Sequence, residues 1–161
     1  MPFSLLLVFL LPILSIPFVY FAGKKSSKAA GTLVALVAIA NIGLVLTAVP
    51  TVISNSVYTE SYAWIPVLNS HFSLFLDGIS ASIAIISLVL ITAAAVFSIR
   101  YMEGKKNLPV YYSLLSLLSV GMVGVFITSN FLLFYFCWEL MLVPAYFIIG
   151  GWGYRNSYKA A

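Results

Sequence analysis

The sequence predicts an all-α, polytopic membrane protein of five transmembrane helices, with its N-terminus outside and its C-terminus cytoplasmic. Three observations carry that expectation. Hydrophobic residues make up 63% of the 161 positions and charged residues 7%, with a mean hydropathy of +1.11, whereas a water-soluble chain of this size needs far more surface charge. Apolar runs recur at residues 3–22, 29–50, 78–99, 110–128 and 131–150, each close to the ~20 residues that carry a helix across a hydrocarbon core of about 30 Å. Lipid offers the backbone no hydrogen-bond partners, so such runs close their bonds internally as helices. Finally, all eight lysines and arginines fall in the three segments that a five-span count puts on one side, as the positive-inside rule requires.

The same composition excludes several classes. A net charge of +4 raises nucleic-acid binding, but the bases are few and confined to short loops between spans. The single cysteine, Cys137, excludes an internal disulfide and a multi-cysteine zinc or iron–sulfur site. One histidine, His71, cannot by itself build a metal or haem site. No redox centre or cofactor is expected within this chain.

The first run contains Pro12 and Pro17. A secretory signal peptide is the competing reading, disfavoured because no base precedes the run while Lys24, Lys25 and Lys28 follow it. That order also favours an outside N-terminus. The second run is expected to end at Pro50; its mid-depth Asn41 reads as an interhelical hydrogen-bonding residue in preference to a transport residue. Residues 51–74 form the one long connection. Its Tyr58, Glu60, Tyr62, Trp64, Pro66 and His71 suit a membrane–water interface, and His71 reads as a solvated loop residue.

Asp77 precedes the third span and is expected to cap it. The charged turn RYMEGKKNLP, residues 100–109, leads into the fourth, where Gly121 and Gly124 permit close backbone approach. Asn130 then caps the fifth. The closing segment WGYRNSYKAA carries Arg155 and Lys159.

That fifth run holds the candidate site. Glu139 sits near its middle, where a carboxylate costs roughly 2.5–3.5 kcal/mol on insertion scales for a central acid such as Asp. Every base lies in a loop, so none in this chain shares its depth. Lipid opposes the charged form of such an acid, and a carboxyl able to exchange its proton there is what a proton carrier needs. The alternative is a permanently protonated acid that hydrogen-bonds a neighbouring helix. Pro144 removes the bond to the Leu140 carbonyl beside the acid. Tyr135, Leu142, Val143 and Tyr146 fall on or near the Glu139 face; either tyrosine can donate to the carboxylate, and aromatic packing alone is the equal alternative. Cys137 points elsewhere.

The segment FYFCWELMLVPAYFIIGGWG, residues 134–153, resembles the fifth-helix signature of the antiporter-like subunits of respiratory complex I, nearest to the subunit called M in bacteria and chain 4 in mitochondria. The resemblance extends through YAWIPVLNSHFSLFLDGIS at 62–80, SIRYM at 98–102 and GMVGVFITSNFLLF at 121–134, covering roughly residues 60–161; the first two spans are generic. It implies a non-redox subunit that translocates protons across an energy-transducing membrane, driven by electron transfer in partner subunits that hold the quinone, iron–sulfur and NADH or other donor modules. It further implies that Glu139 is the proton-transfer acid, paired with a lysine on a later, broken helix, and that Pro144 is a structural element of the motif.

The family fold has about fourteen helices in two inverted five-helix repeats. The chain is therefore expected to be a single membrane domain, residues 1–161, forming the first part of a longer fold. A truncated or split reading frame, or a partial sequence, is the expected reason, with the partner lysine supplied by missing helices or a separate chain. The expected location is a prokaryotic plasma membrane. Alternatives are a subunit of a multi-subunit sodium/proton antiporter, a membrane-bound hydrogenase, or a non-transporting membrane scaffold.

Overall fold

The structure, a computed structural model, describes residues 4–55, 57–68 and 70–153. Helices occupy all five apolar runs: α1 (Leu5–Lys25), α2 (Ser27–Asn55), α3 (Gly78–Tyr101), α4 (Leu108–Ile127) and α5 (Phe131–Trp152). Each is long and apolar enough to cross a membrane. Arg155 and Lys159 lie outside the described residues.

Two expectations are corrected. Pro50 does not end the second helix, which continues to Asn55. The proline removes one backbone bond, to Leu46, whereas stopping there would strand the carbonyls of the preceding turn in an apolar setting. The chain is also not all-α. The long connection folds into an antiparallel hairpin of β1 (Val57–Ile65) and β2 (Ser70–Asp77), with register from Val57 opposite Asp77 to Ile65 opposite Ser70.

The hairpin follows from side-chain alternation. Leu74 and Leu76 point inward and are fully buried, and Phe72 on the same face packs edge-on against Phe9 and Trp64 at 5.5 and 6.0 Å. Paired strands satisfy the backbone while one apolar face covers the end of the helix bundle. Ser129 donates its N–H to the Ser73 carbonyl at 3.1 Å, tying the α4–α5 turn to the hairpin.

Both sequence-predicted caps form. Asp77 Oδ1 accepts from Ser80 N–H at 2.7 Å while Ser80 Oγ accepts from Asp77 N–H at 2.8 Å, a reciprocal capping box. Asn130 Oδ1 accepts from the N–H groups of Leu132 and Leu133 at 2.9 and 3.2 Å.

Asn41 proves to be packing glue. Pro12 has no N–H to give the Val8 carbonyl one turn earlier, and Asn41 Nδ2 of α2 donates to that same carbonyl at 3.1 Å. Asn41→Ala is expected to cost about 1 kcal/mol, the usual scale of an interhelical hydrogen bond in a membrane protein. Unfolding the purified protein in mixed detergent micelles measures it.

Five helices joined in this order alternate direction. The hairpin and the α4–α5 turn share one end. The α1–α2 and α3–α4 junctions share the other, where Ser27 Oγ donates to the Ile99 carbonyl at 2.9 Å and Trp152 Nε1 to the Lys106 carbonyl at 3.0 Å. Lys24, Lys25, Lys28, Arg100, Lys105 and Lys106 therefore gather at this basic end. Helix α1 packs on α2 and α4, and α2 on α3, while α5 lies along α4 and touches β2.

Candidate functional site

Helix α5 is the outermost of the five. Of its buried residues, Leu133, Cys137 and Pro144 form one stripe toward α4. Gly121 and Gly124 of α4 receive that stripe. A Cβ on Gly121 would lie 2.5 Å from Met141 N and 2.7 Å from the Leu140 carbonyl carbon, and one on Gly124 would lie 2.6 Å from Cys137 Sγ. The missing side chains let the two backbones approach, as small residues do between membrane helices.

That contact aims Glu139. Cys137 faces inward and is fully buried, so Glu139, two residues on and about 200° around the helix, faces away from α4. Glu139 is half-exposed. Its neighbours Tyr135, Leu142, Val143 and Tyr146 are all exposed, between 45% and 56%, and they define a face that the other described residues leave uncovered. The Tyr135 side chain, one turn earlier, interacts with the Glu139 carboxylate. Glu139 lies eight residues from Phe131 and thirteen from Trp152, or about 12 Å and 20 Å along the helix axis from its two ends. Among the described residues no lysine or arginine pairs with it.

The other acids do not join this site. Asp77 is committed to its cap, where the Ser80 N–H and hydroxyl hold its carboxyl below the ordinary range. His71 is exposed on β2. Among the described residues no three histidine, cysteine or acidic side chains converge as a metal site would require.

Glu60 is the residue that sequence reading passed over as a loop acid. Its carboxylate accepts from Ser4 Oγ at 2.8 Å, from the α1 N–H groups of Leu5 and Leu6 at 3.0 and 3.3 Å, and from the Tyr58 and Tyr62 hydroxyls at 2.8 and 3.1 Å. The hairpin thus caps the positive end of α1 with an anion brought from 55 residues away. Burial opposes the charge, but the hydrogen bonds from Tyr58, Ser4, Leu5 and Tyr62 outweigh it and hold the carboxyl below its ordinary value of 4.5. Burial and the adjacent carboxylate push the Tyr58 hydroxyl up to about 12. The period-2 spacing of Tyr58, Glu60 and Tyr62 was the available signal, since it puts all three on one strand face.

Glu60→Gln is expected to weaken hairpin docking by on the order of 2 kcal/mol, because an amide cannot accept every donor the carboxylate holds. The acid has a depressed folded value, so its contribution is complete above pH 4.5 and is lost as pH falls through that lower value. Hydrogen exchange of the hairpin amides between pH 3 and 7 measures both effects, with the pH dependence absent in the variant.

Taken together, the fold and the site define a class: among the described residues, five helices long and apolar enough to span a membrane, one of them carrying an acid at depth on a face those residues leave uncovered. No protein-family model matches the chain. Among curated proteins it is 39% identical over 102 residues to NAD(P)H-quinone oxidoreductase chain 4 1 of Synechococcus sp. (strain JA-3-3Ab), covering 63% of this chain and 19% of that protein. It is 33% identical over 102 residues to the chloroplastic NAD(P)H-quinone oxidoreductase chain 4 of Chlorokybus atmophyticus, again 63% and 19%. It is 32% identical over 104 residues to F(420)H(2) dehydrogenase subunit M of Methanosarcina mazei, covering 65% and 21%. The chain spans about a fifth of the length of these relatives. The resemblance is borne out: the chain matches part of an antiporter-like subunit of the complex I type.

Proposed function

We propose that this chain forms part of a proton-translocating, non-redox membrane subunit of a complex I-like oxidoreductase, with Glu139 as the group that takes up and releases the proton. The observation that carries this reading is the position of Glu139: an ionisable side chain about 12 Å inside a membrane-length helix, half-exposed on a face the described residues leave open. Ionisable groups at that depth ordinarily mark ion or proton paths. A base from a later helix or another chain, seated on this face, lowers the cost of charging the carboxylate, and its withdrawal raises that cost. Electron transfer elsewhere in the complex would drive the alternation. The chain has no catalysis of its own in this scheme; quinone and donor chemistry belong to partner subunits.

Relatives named for NAD(P)H-quinone oxidoreductases and for an F(420)H(2) dehydrogenase support an oxidoreductase subunit in preference to a sodium/proton antiporter, and leave the electron donor to the partners. The gathering of bases at one end supports an orientation with that end cytoplasmic and the hairpin outside, in a prokaryotic plasma membrane. The test is proton flux in vesicles holding the assembled complex, compared with and without the Glu139 carboxyl. Coupled electron transfer with undiminished flux in a Glu139→Gln complex overturns the assignment, and copurification with small antiporter subunits instead of quinone-site and iron–sulfur subunits overturns the choice of complex.

A further inference from the structure

Two cavities lie along the seam of α2 and α3, and their chemistry is complementary. At the basic end a cavity of about 530 Å³ is lined by Ser26, Ser27, Lys28, Arg100 and Glu103 among others. Nearer the middle of the bundle, an apolar groove of about 580 Å³ is lined by Ile42, Val89, Thr92, Ala93, Val96 and Phe97.

The two lie along one helix face. Along α3, Val89, Thr92, Val96 and Arg100 follow one another at spacings of three and four, which places them on a single helix face, and Glu103 lies in the turn that follows. Along α2, Lys28 and Ile42 are about four turns apart and fall on the same side. From Val89 to Arg100 the axial distance is about 16 Å, close to half the ~30 Å hydrocarbon thickness. The seam therefore offers a polar cavity at one membrane surface and an apolar trough one leaflet deep below it.

The polar cavity is built to hold a headgroup. Its floor is already satisfied, because Ser27 Oγ is bonded to the Ile99 carbonyl and lies 2.8 Å from the Tyr112 hydroxyl. Lys28 and Arg100 are exposed and, among the described residues, form no ion pair. Glu103, in the turn that follows α3, contributes the opposite charge. The depth is that of an interface: Lys105 Nζ stands 3.4 Å from the Tyr101 ring and Lys24 Nζ 5.0 Å from the Tyr20 ring, the aromatic and basic pairing of a headgroup belt.

We propose that this seam binds one phospholipid, with its phosphate between Lys28 and Arg100, its acyl chain in the Ile42–Val96 groove, and an ammonium-bearing headgroup favoured by Glu103. The assignment rests on the helices spanning a membrane, but not on the role of Glu139. The lipid fills an exposed seam and adds to the Ser27–Ile99 hydrogen bond that already joins α2 to α3 at this end.

The test uses the full chain, purified in detergent and exchanged against an equimolar mixture of phosphatidylethanolamine, phosphatidylglycerol and phosphatidylcholine, with retained lipid counted by native mass spectrometry. One retained phosphatidylethanolamine is expected. Lys28→Gln with Arg100→Gln should weaken retention about 30-fold, from two surface bases each worth several-fold in phosphate affinity, while Lys106→Gln leaves it unchanged. Ala93→Trp, which fills the groove and keeps every charge, should also expel the lipid. Glu103→Gln should shift the preference from phosphatidylethanolamine to phosphatidylglycerol. Retention unaffected by the double variant, equal retention of all three lipids, or displacement by excess inorganic phosphate, which would make this a site for a soluble anion, each overturns the proposal.

Discussion

Glu139→Gln should leave the complex assembled and its electron transfer intact while lowering proton flux through this site by about 10²-fold, the low end of what a positioned proton-transfer side chain contributes. The carboxamide keeps the shape of the side chain and its contact with Tyr135, but it has no proton to exchange at any relevant pH. Glu139→Asp retains the chemistry on a stem one methylene shorter and should recover part of the flux. This pair of variants separates transport from scaffolding. A purely structural acid, protonated and hydrogen-bonded, would be replaced by Gln with little loss, whereas a carrier would not. Vesicle acidification followed with a pH-sensitive dye, normalised to donor oxidation, reads the difference.

The second large effect belongs to Gly121. A methyl group there would sit 2.5 Å from Met141 N and 2.7 Å from the Leu140 carbonyl carbon, and both are backbone atoms that no rotamer change can move. Gly121→Ala must therefore push α5 away from α4, and the expected cost is about 1–3 kcal/mol, the range for overpacking a tight contact. The displaced backbone is the segment that carries Glu139, so flux should fall together with stability. Gly43, where a Cβ would meet nothing within 4 Å, is the matched control: Gly43→Ala should be neutral or slightly stabilising, because alanine is the better helix former. Unfolding in detergent with both variants side by side gives the comparison. Equal stability of the two would mean that α4 and α5 are not held as closely as the structure places them.

Other features follow less directly from sequence. The residues around Pro50 were read as a helix end because proline cannot donate, yet one missing bond is a smaller penalty than a broken helix in lipid. The hairpin was hidden because its strands share a stretch with interfacial aromatics. Composition drew attention to Tyr58, Tyr62 and Trp64 as ring systems, whereas their period-2 spacing with Glu60, alternating with Thr59, Ser61 and Ala63, was the structural signal. Asn41 was recognisable as an interhelical donor, but its acceptor was not, since the Val8 carbonyl is vacant only through Pro12 and lies 33 residues away.

From the linear chain alone came the five apolar runs, the confinement of bases to alternate loops, the caps at Asp77 and Asn130, the small residues at Gly121 and Gly124, and the depth of Glu139. All of these depend on a residue and its neighbours within a turn or a span, where helix rise and hydrophobic length leave little freedom. Tertiary structure alone decided that Glu60 closes the start of α1, that Asn41 answers Pro12, that the α2–α3 seam carries both a charged cavity and an apolar groove, and that Glu139 looks outward from the bundle. Those outcomes depend on which helix lies beside which, and that choice is made by contacts between residues far apart in the chain.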